Sequence, residues 1–462
     1  MLDHSNHLPT EELQAIDAAH HMHPFTDGDA LTKKGVRIIK SANGVFLKDS
    51  EGEEMLDAMA GLWCVNIGYG RPELADAAAR QMRELPYYNT FFQSTHIPAL
   101  TLAQRIADLA PGDLNHVFFA SGGSDANDTN IRLARHYWAA QHKPAKQIII
   151  SRHNAYHGSS MGSASLGGMK PMHKQGGLPI ADIVHINQPD WWSEGEDLSF
   201  EDFGRQRASE LLAAIERYGE NRIAAFIAEP IQGAGGVIIP PDSYWPEIRK
   251  ICDAHEILLI ADEVICGFGR TGNWFGSQTV DIQPDIMTIA KGLSSGYIPI
   301  GGSVVSDTVA AVIAAGGEFN HGYTYSGHPV SAAVALENLR IIDEEGLVEK
   351  VRNKTGPHLK QKWSAFADHP LIGEAKVVGM MGSMVLTPDK SRRAKFPGEA
   401  GKIGAICREH CYKNNLVMRA VGDRMIISPP LIISESEIDL LVERAGKALD
   451  ATYQQLKIEG MV

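Results

Sequence analysis

Asp262 and Lys291 are the residues of this chain whose placement asks for chemistry. Asp262 stands near the end of the apolar run 257–264 (ILLIADEV), and Lys291 directly follows the run 286–290 (IMTIA) and precedes Gly292. A carboxylate at the end of so apolar a strand needs partners, because an unpaired buried charge is costly. In open α/β sheets the carboxyl ends of the strands face the ligand crevice, so neighbouring strands would bring an acid and an amine to one mouth. A structural Asp–Lys salt bridge would produce the same pair. A third feature bears on the choice. Ser121-Gly122-Gly123-Ser124-Asp125 follows the run 115–120 and opens a helix. Its small residues let backbone N–H groups approach an anion, and the helix N-terminus adds partial positive charge. Alone, the segment reads equally as a tight turn capped by Ser124 or Asp125. A pyridine-based cofactor uses all three features: a lysine for a Schiff base, an aspartate at the ring nitrogen and a nest for the phosphate.

Other patterns point less far. Gly267-Phe268-Gly269-Arg270-Thr271-Gly272 spells G-x-G-x-x-G after a strand. The following Asn273-Trp274-Phe275-Gly276 does not open a helix, and no acid-ended strand stands at the right distance, so a dinucleotide site is not expected. Cys407, His410 and Cys411 share a helix but are too few for a closed zinc site, and His153 and His157 lack the glutamate of a helical zinc motif.

The elements that must hold these residues are legible as short apolar runs at 117–120, 147–151, 182–186, 223–230, 257–264, 286–290 and 301–305. Continuous rather than alternating apolarity marks strands buried on both faces. Helical stretches at 125–141, 200–218, 243–255 and 307–315 separate several of them. The pattern predicts an α/β fold with a mainly parallel seven-stranded sheet. Toward the N-terminus, 36–40 and 45–48 flank Ser-Ala-Asn-Gly as a hairpin, with a further strand at 54–59. Beyond Pro329, helices (331–344, 347–366, 401–414, 434–456) alternate with strands (377–386, 416–421, 425–428). We expect a large α/β domain over 71–328 and a smaller α+β domain built from 1–70 and 329–462, with the site in the cleft between them.

Composition agrees with an ordinary soluble globular protein. The 462 residues suggest two or three domains, and 44% hydrophobic with 21% charged residues is ordinary. A net charge of −13 offers no basic face for nucleic acid. No apolar run approaches the roughly 20 residues of a membrane span, and the polar start MLDHSNHLPTEELQ has no leader-like apolar core. Five cysteines fit reduced thiols, so a cytoplasmic location is expected.

The stretch 257–272 (ILLIADEVICGFGRTG), followed by Pro284-Asp285 and by 290–296 (AKGLSSG), resembles the class III pyridoxal-phosphate aminotransferases, and the resemblance extends over nearly the whole chain. Within the class it is most similar to the ω-transaminases of the putrescine/polyamine–pyruvate group, through 56–71, 85–93, 225–236, 321–329 and 418–431. The resemblance implies the type I fold of pyridoxal 5'-phosphate enzymes and a homodimer, or a tetramer, with active sites at the subunit interface. It implies that Lys291 carries the cofactor and Asp262 pairs with its ring nitrogen. Val264 and Tyr156 would cover the two ring faces, with His157 and Glu229 also at the cofactor. Ser121, Gly122, Gly123 and Ser124 would hold the phosphate, joined by Thr324 of a neighbouring subunit. Trp63, Tyr88, Phe91 and Phe92 would line the substrate pocket, and Arg419 would bind a substrate carboxylate. Where the family usually has Ser-Gly-Ser, this chain has Gly122-Gly123-Ser124, which removes one hydroxyl, so somewhat weaker cofactor retention is expected. Where related enzymes carry a glutamate that neutralises the arginine, this chain has Ala234.

The implied reaction moves an amino group from a primary amine to pyruvate in two half-reactions, giving alanine and an aldehyde or ketone by a ping-pong mechanism. β-Alanine or taurine as donor, and an aminomutase, are the alternatives; a decarboxylase or a non-enzymatic regulator fits less well.

Overall fold

The computed structural model describes residues 8–462; the first seven residues of the polar start, and of the expected 1–70 segment, lie outside the described residues. Its strands are β1 (Ile39–Asn43), β2 (Phe46–Asp49), β3 (Glu54–Asp57), β4 (His116–Ala120), β5 (Ile148–Arg152), β6 (Ile183–Ile186), β7 (Ile223–Ala228) and β8 (Leu258–Asp262). They continue with β9 (Ile286–Ile289), β10 (Gly301–Val305), β11 (Ile372–Val378), β12 (Met381–Leu386), β13 (Leu416–Val417), β14 (Arg419–Val421) and β15 (Arg424–Ile427).

All seven apolar runs lie in one sheet of order β4-β10-β9-β8-β7-β5-β6. Every pairing is parallel except those of β10, which runs antiparallel to both neighbours. Every residue of β5, β7 and β8 is buried, which accounts for the lack of alternation. Successive residues nonetheless serve opposite layers. Phe226 and Leu259 pack with Leu211, Ile215, Trp245 and Ile248 of the helices Phe200–Tyr218 and Tyr244–Ala254. Ala225, Ile227 and Ile260 pack with Ile131, Ala134 and Trp138 of the helix Gly123–Ala140. Trp138 Nε1 also donates to the Ala224 carbonyl, at 2.8 Å. Emptying one such position, as in Phe226→Ala, costs about 3–5 kcal/mol.

The two chain ends meet. Strands β1, β2 and β3 form a meander that β13 extends in parallel, while β11, β12, β15 and β14 form a third sheet. Several boundaries differ from expectation. The first strand begins at Ile39 rather than 36, and its hairpin turns at Gly44 and Val45, since Asn43 already pairs with Phe46. The expected strand 377–386 is a hairpin, broken by Gly379 at φ 55°, with Val378 opposite Met381. The expected strand 416–421 changes sheet at Met418: β13 joins β3 and β14 joins β15. The expected helix 347–366 contains a wider turn at Val351–Thr355 before the helix Gly356–Ser364. Pro357 lacks an N–H and crowds the carbonyl four residues back, which opens the regular ladder there. Among the described residues no helix is long and apolar enough to cross a membrane.

Candidate active site

Strands β8 and β9 lie side by side, with Asp262 in register with Thr288. Asp262 is the last residue of β8 and is buried. The run 286–290 is a strand only to Ile289, and Lys291 opens a short 3₁₀ turn, Lys291–Leu293, in the left-handed region at φ 45°. A lysine held there stores backbone strain, a trait that clusters at functional sites.

The two side chains face one cavity without forming an ion pair with each other. Asp262 Oδ2 is 2.6 Å from His157 Nδ1 and accepts from Asn127 Nδ2 at 2.8 Å; Oδ1 accepts from the Val264 N–H at 3.1 Å. Asn127 is fixed in turn, since its Oδ1 accepts from Thr288 Oγ at 2.8 Å. Asn130 Nδ2 also reaches that hydroxyl, at 2.8 Å. The simple salt-bridge reading of the pair therefore fails. Burial pushes the Lys291 ammonium below the usual lysine value, against the opposing influence of Cys64, Asp262 and Glu229, and the charge of Arg419 acts in the same direction as burial. A lysine of this kind is poised to act as a free amine.

The cavity holds about 330 Å³ and is lined by Asp262, Lys291, Tyr156, His157, Val264 and Glu229, and by Ser121 to Ser124. Glu229, buried, accepts from the Tyr156 N–H at 3.3 Å and the Gly233 N–H at 2.8 Å, and burial raises its pKa. At the far side of the cavity starts the helix Gly123–Ala140. Its N-cap is Gly122, in extended conformation, and no described side chain caps it. Ser124 and Asp125, expected as caps, lie inside the first turn. Ser124 Oγ instead accepts from the Ser159 N–H, at 3.1 Å. A Cβ added at Gly123 would meet Val264 at 3.0 Å, so the loop and Val264 close on each other.

These features fit pyridoxal phosphate. An uncapped helix N-terminus suits a phosphate, a buried carboxylate held by three partners suits a protonated ring nitrogen, and Val264 and Tyr156 line the same cavity. His157 Nε2 is buried with no partner among the described residues, an unmet polar group in the same wall.

Other expected residues lie elsewhere. Trp63 is 1% exposed and packed with Met59, Ile231 and Ile265; it does not line this cavity, although its neighbour Cys64 does. Tyr88 and Phe92 are exposed, Phe92 by 91%, and Phe91 lines a separate hollow with Phe118 and His321. These aromatics follow the helix Pro72–Glu84 on an outer segment that does not turn into the chain's own site. Thr324 is likewise exposed, its carbonyl accepting from the Tyr87 hydroxyl at 2.7 Å. Arg419 lines an adjoining cavity of about 1170 Å³ together with Ala234 and Phe25. Phe25 meets Tyr156 edge-on at 6.2 Å, which links the two cavities. The G-x-G-x-x-G segment is a packed turn: Arg270 is fully buried and donates to the Pro429 carbonyl and to Asn66 Oδ1. Cys407 and Cys411 are buried and free, and His410 pairs with Gln455.

Sequence reasoning missed Thr288 and Cys64, and left Asn127 as a mere motif letter. Thr288 was detectable as the one polar residue inside the run IMTIA. Glu263 was missed as well. It is buried, accepts from the N–H groups of Gly276 and Ser277, and burial pushes its pKa up to about 7.

Comparison with known proteins adds the following. A family model described as aminotransferase class-III matches residues 30–449. A putrescine–pyruvate aminotransferase of Pseudomonas aeruginosa is 58% identical, over 96% of this chain and 97% of its own. The crystal structure of the omega transaminase from Pseudomonas jessenii in complex with PMP superposes with a TM-score of 0.94 at 40% identity, covering 96% of this chain and 99% of that one. An (S)-enantioselective omega-transaminase from Thermomicrobium roseum gives a TM-score of 0.93 at 42% identity, covering 96% and 99%.

Proposed function

We propose that this chain, which belongs to the class III aminotransferases and has the type I fold of pyridoxal-phosphate enzymes, transfers the amino group of a di- or polyamine to pyruvate. The observation that carries the reading is that Asp262 is held by His157 and Asn127 while Lys291 stays unpaired by it in the same cavity, beside an uncapped helix N-terminus. The relative from P. aeruginosa supports the choice of amine and acceptor.

In this reading Gly123 and Ser124 hold the phosphate, with Ser121 and Gly122 alongside, and Tyr156 and Val264 clamp the ring. When bound, pyridoxal phosphate supplies an aldehyde that condenses with amines and a protonated ring that takes up the electron pair released at the substrate carbon. Asp262 holds the proton on the ring nitrogen, and His157 and Asn127 hold Asp262. Lys291 Nζ would hold the cofactor at rest and, as a free amine, would take the proton from the donor carbon and later return one. Burial favours the unprotonated amine that this step requires. Overall a primary amine is oxidised to an aldehyde or ketone, and pyruvate is reduced to alanine.

Arg419 forks onto the pyruvate carboxylate. Its cavity also carries Asp27, a carboxylate suited to a second ammonium, whereas Glu194 in the same lining is already paired with Arg207. The exposed aromatic groups Tyr88, Phe92 and Tyr325 support a homodimer in which Tyr88, Phe91, Phe92 and Thr324 complete the site of the other copy. Five free cysteines support a cytoplasmic setting.

The test is a donor panel with pyruvate, read by alanine formation. Putrescine and longer polyamines should outpace β-alanine and taurine. Preference for an ω-amino acid would reassign the donor, and no alanine from any amine would overturn the reading.

A further inference from the structure

We propose that Asp17, His21 and His23 form a surface metal site for a first-row divalent ion of the zinc class, apart from the catalytic cavity. Asp17 sits in the last turn of the helix Thr10–His20. His21 is the residue at which the chain leaves that helix, with extended dihedrals of φ −116° and ψ 123°. Residues two apart in an extended segment point the same way, so His23 comes round beside His21, with ring centroids 4.2 Å apart. His21 Nδ1 lies 3.1 Å from Asp17 Oδ1, and His23 Nε2 lies 2.8 Å from Oδ1 and 2.9 Å from Oδ2.

Two imidazole nitrogens thus converge on one carboxylate, with all three ligand atoms within 4.8 Å of one another. Zinc bonds of about 2.0–2.2 Å in tetrahedral geometry set neighbouring donors roughly 3.3 Å apart. The two histidine–carboxylate separations, 3.1 Å and 2.8 Å, need to widen by only a few tenths of an ångström to reach that spacing. Two nitrogens and one oxygen suit zinc, nickel or copper better than magnesium or calcium. Asp17 and His23 are mostly shielded, at 15% and 21% side-chain exposure, while His21 at 61% leaves an open side for water. The cluster borders a hollow of about 600 Å³, whose lining carries Glu11 and also Lys33 and Lys34, so the cluster's own three ligands carry the site.

Such an ion ties the helix to residue 23, two positions before Phe25. Phe25 packs on Tyr156 and lines the Arg419 cavity. The site is a clip that steadies the segment over the mouth of the active site.

Chelator-treated, desalted holoenzyme is titrated with zinc chloride by calorimetry, and with cobalt chloride by visible absorption. One tight equivalent per chain is expected. Asp17→Asn, His21→Ala and His23→Ala should each weaken binding on the order of tenfold or more, while His20→Ala, next to the cluster, should not. Absence of binding, or binding that none of the three substitutions weakens, would overturn the proposal. Since no cofactor contact is involved, failure here leaves the aminotransferase reading intact, and the donor panel tests that separately.

Discussion

His157 Nδ1 stands 2.6 Å from Asp262 Oδ2, and the other nitrogen of the same ring is buried without a partner among the described residues. With Asn127 on the same oxygen and the Val264 N–H on the other, Asp262 is fixed by the fold itself and owes nothing to Lys291. The acid and the amine of this site are therefore separable, and substitutions at each should fail in different ways.

Asp262→Asn keeps the shape of the side chain but loses the charge. Cofactor should remain bound, while the rate of the first half-reaction should fall on the order of 10²–10³-fold, as for loss of one preorganised electrostatic group. Single-turnover rates alongside cofactor absorbance check this. A near-normal rate would show that the ring proton does not depend on Asp262.

Lys291 is a buried ammonium whose pKa burial depresses. The unfolded chain then binds more protons than the native one between the depressed value and the ordinary lysine value, so native stability rises with pH across that window. The penalty is complete below the depressed pKa and gone above the ordinary one. Cofactor-free Lys291→Met should accordingly melt higher than the cofactor-free parent at neutral pH, and the gap should close as pH rises toward 10.5. Melting curves across that range decide it; a gap that does not change with pH would contradict the burial argument.

Gly122 has the extended backbone that any residue adopts, and no described atom lies within 4 Å of a Cβ built on it. Gly122→Ser therefore fits without strain and adds a hydroxyl beside the phosphate loop. One hydrogen bond is worth about 1 kcal/mol, or roughly fivefold in the Kd for pyridoxal phosphate. Titration of cofactor-free protein measures it, and unchanged or weaker affinity would place the phosphate elsewhere.

Arg419 is half-buried in the cavity that Ala234 also lines, and burial lowers its pKa. With alanine at 234 no glutamate offsets its charge there, so a carboxylate-free amine gains nothing from it. Arg419→Ala should raise the KM for pyruvate by tenfold or more, about 1.4 kcal/mol at the least, and spare the half-reaction with putrescine. Equal losses in both halves would refute a role confined to the carboxylate.

Much of this was readable in the chain because a charge at the end of a doubly buried strand is conspicuous. Asp262 and Lys291 stand out against ILLIA and IMTIA, and the seven runs follow from a sheet covered on both faces. What stayed hidden needs three dimensions. Asn127 and Thr288 come from separate elements and acquire meaning only where these meet, and the hold of His157, itself expected at the cofactor, on Asp262 shows only there. The turn at Gly379 hides inside a continuous apolar run, and the change of sheet at Met418 leaves no compositional trace. Trp63 sits in the right stretch of chain, yet packing turns it inward.

The most direct measurement is borohydride reduction of the holoenzyme followed by peptide mapping. Reduction should fix the cofactor on a single peptide carrying Lys291 and abolish turnover in proportion to labelling, and Lys291→Ala should take no label. Cofactor fixed on any other lysine, or full activity in Lys291→Ala, would contradict the site described here.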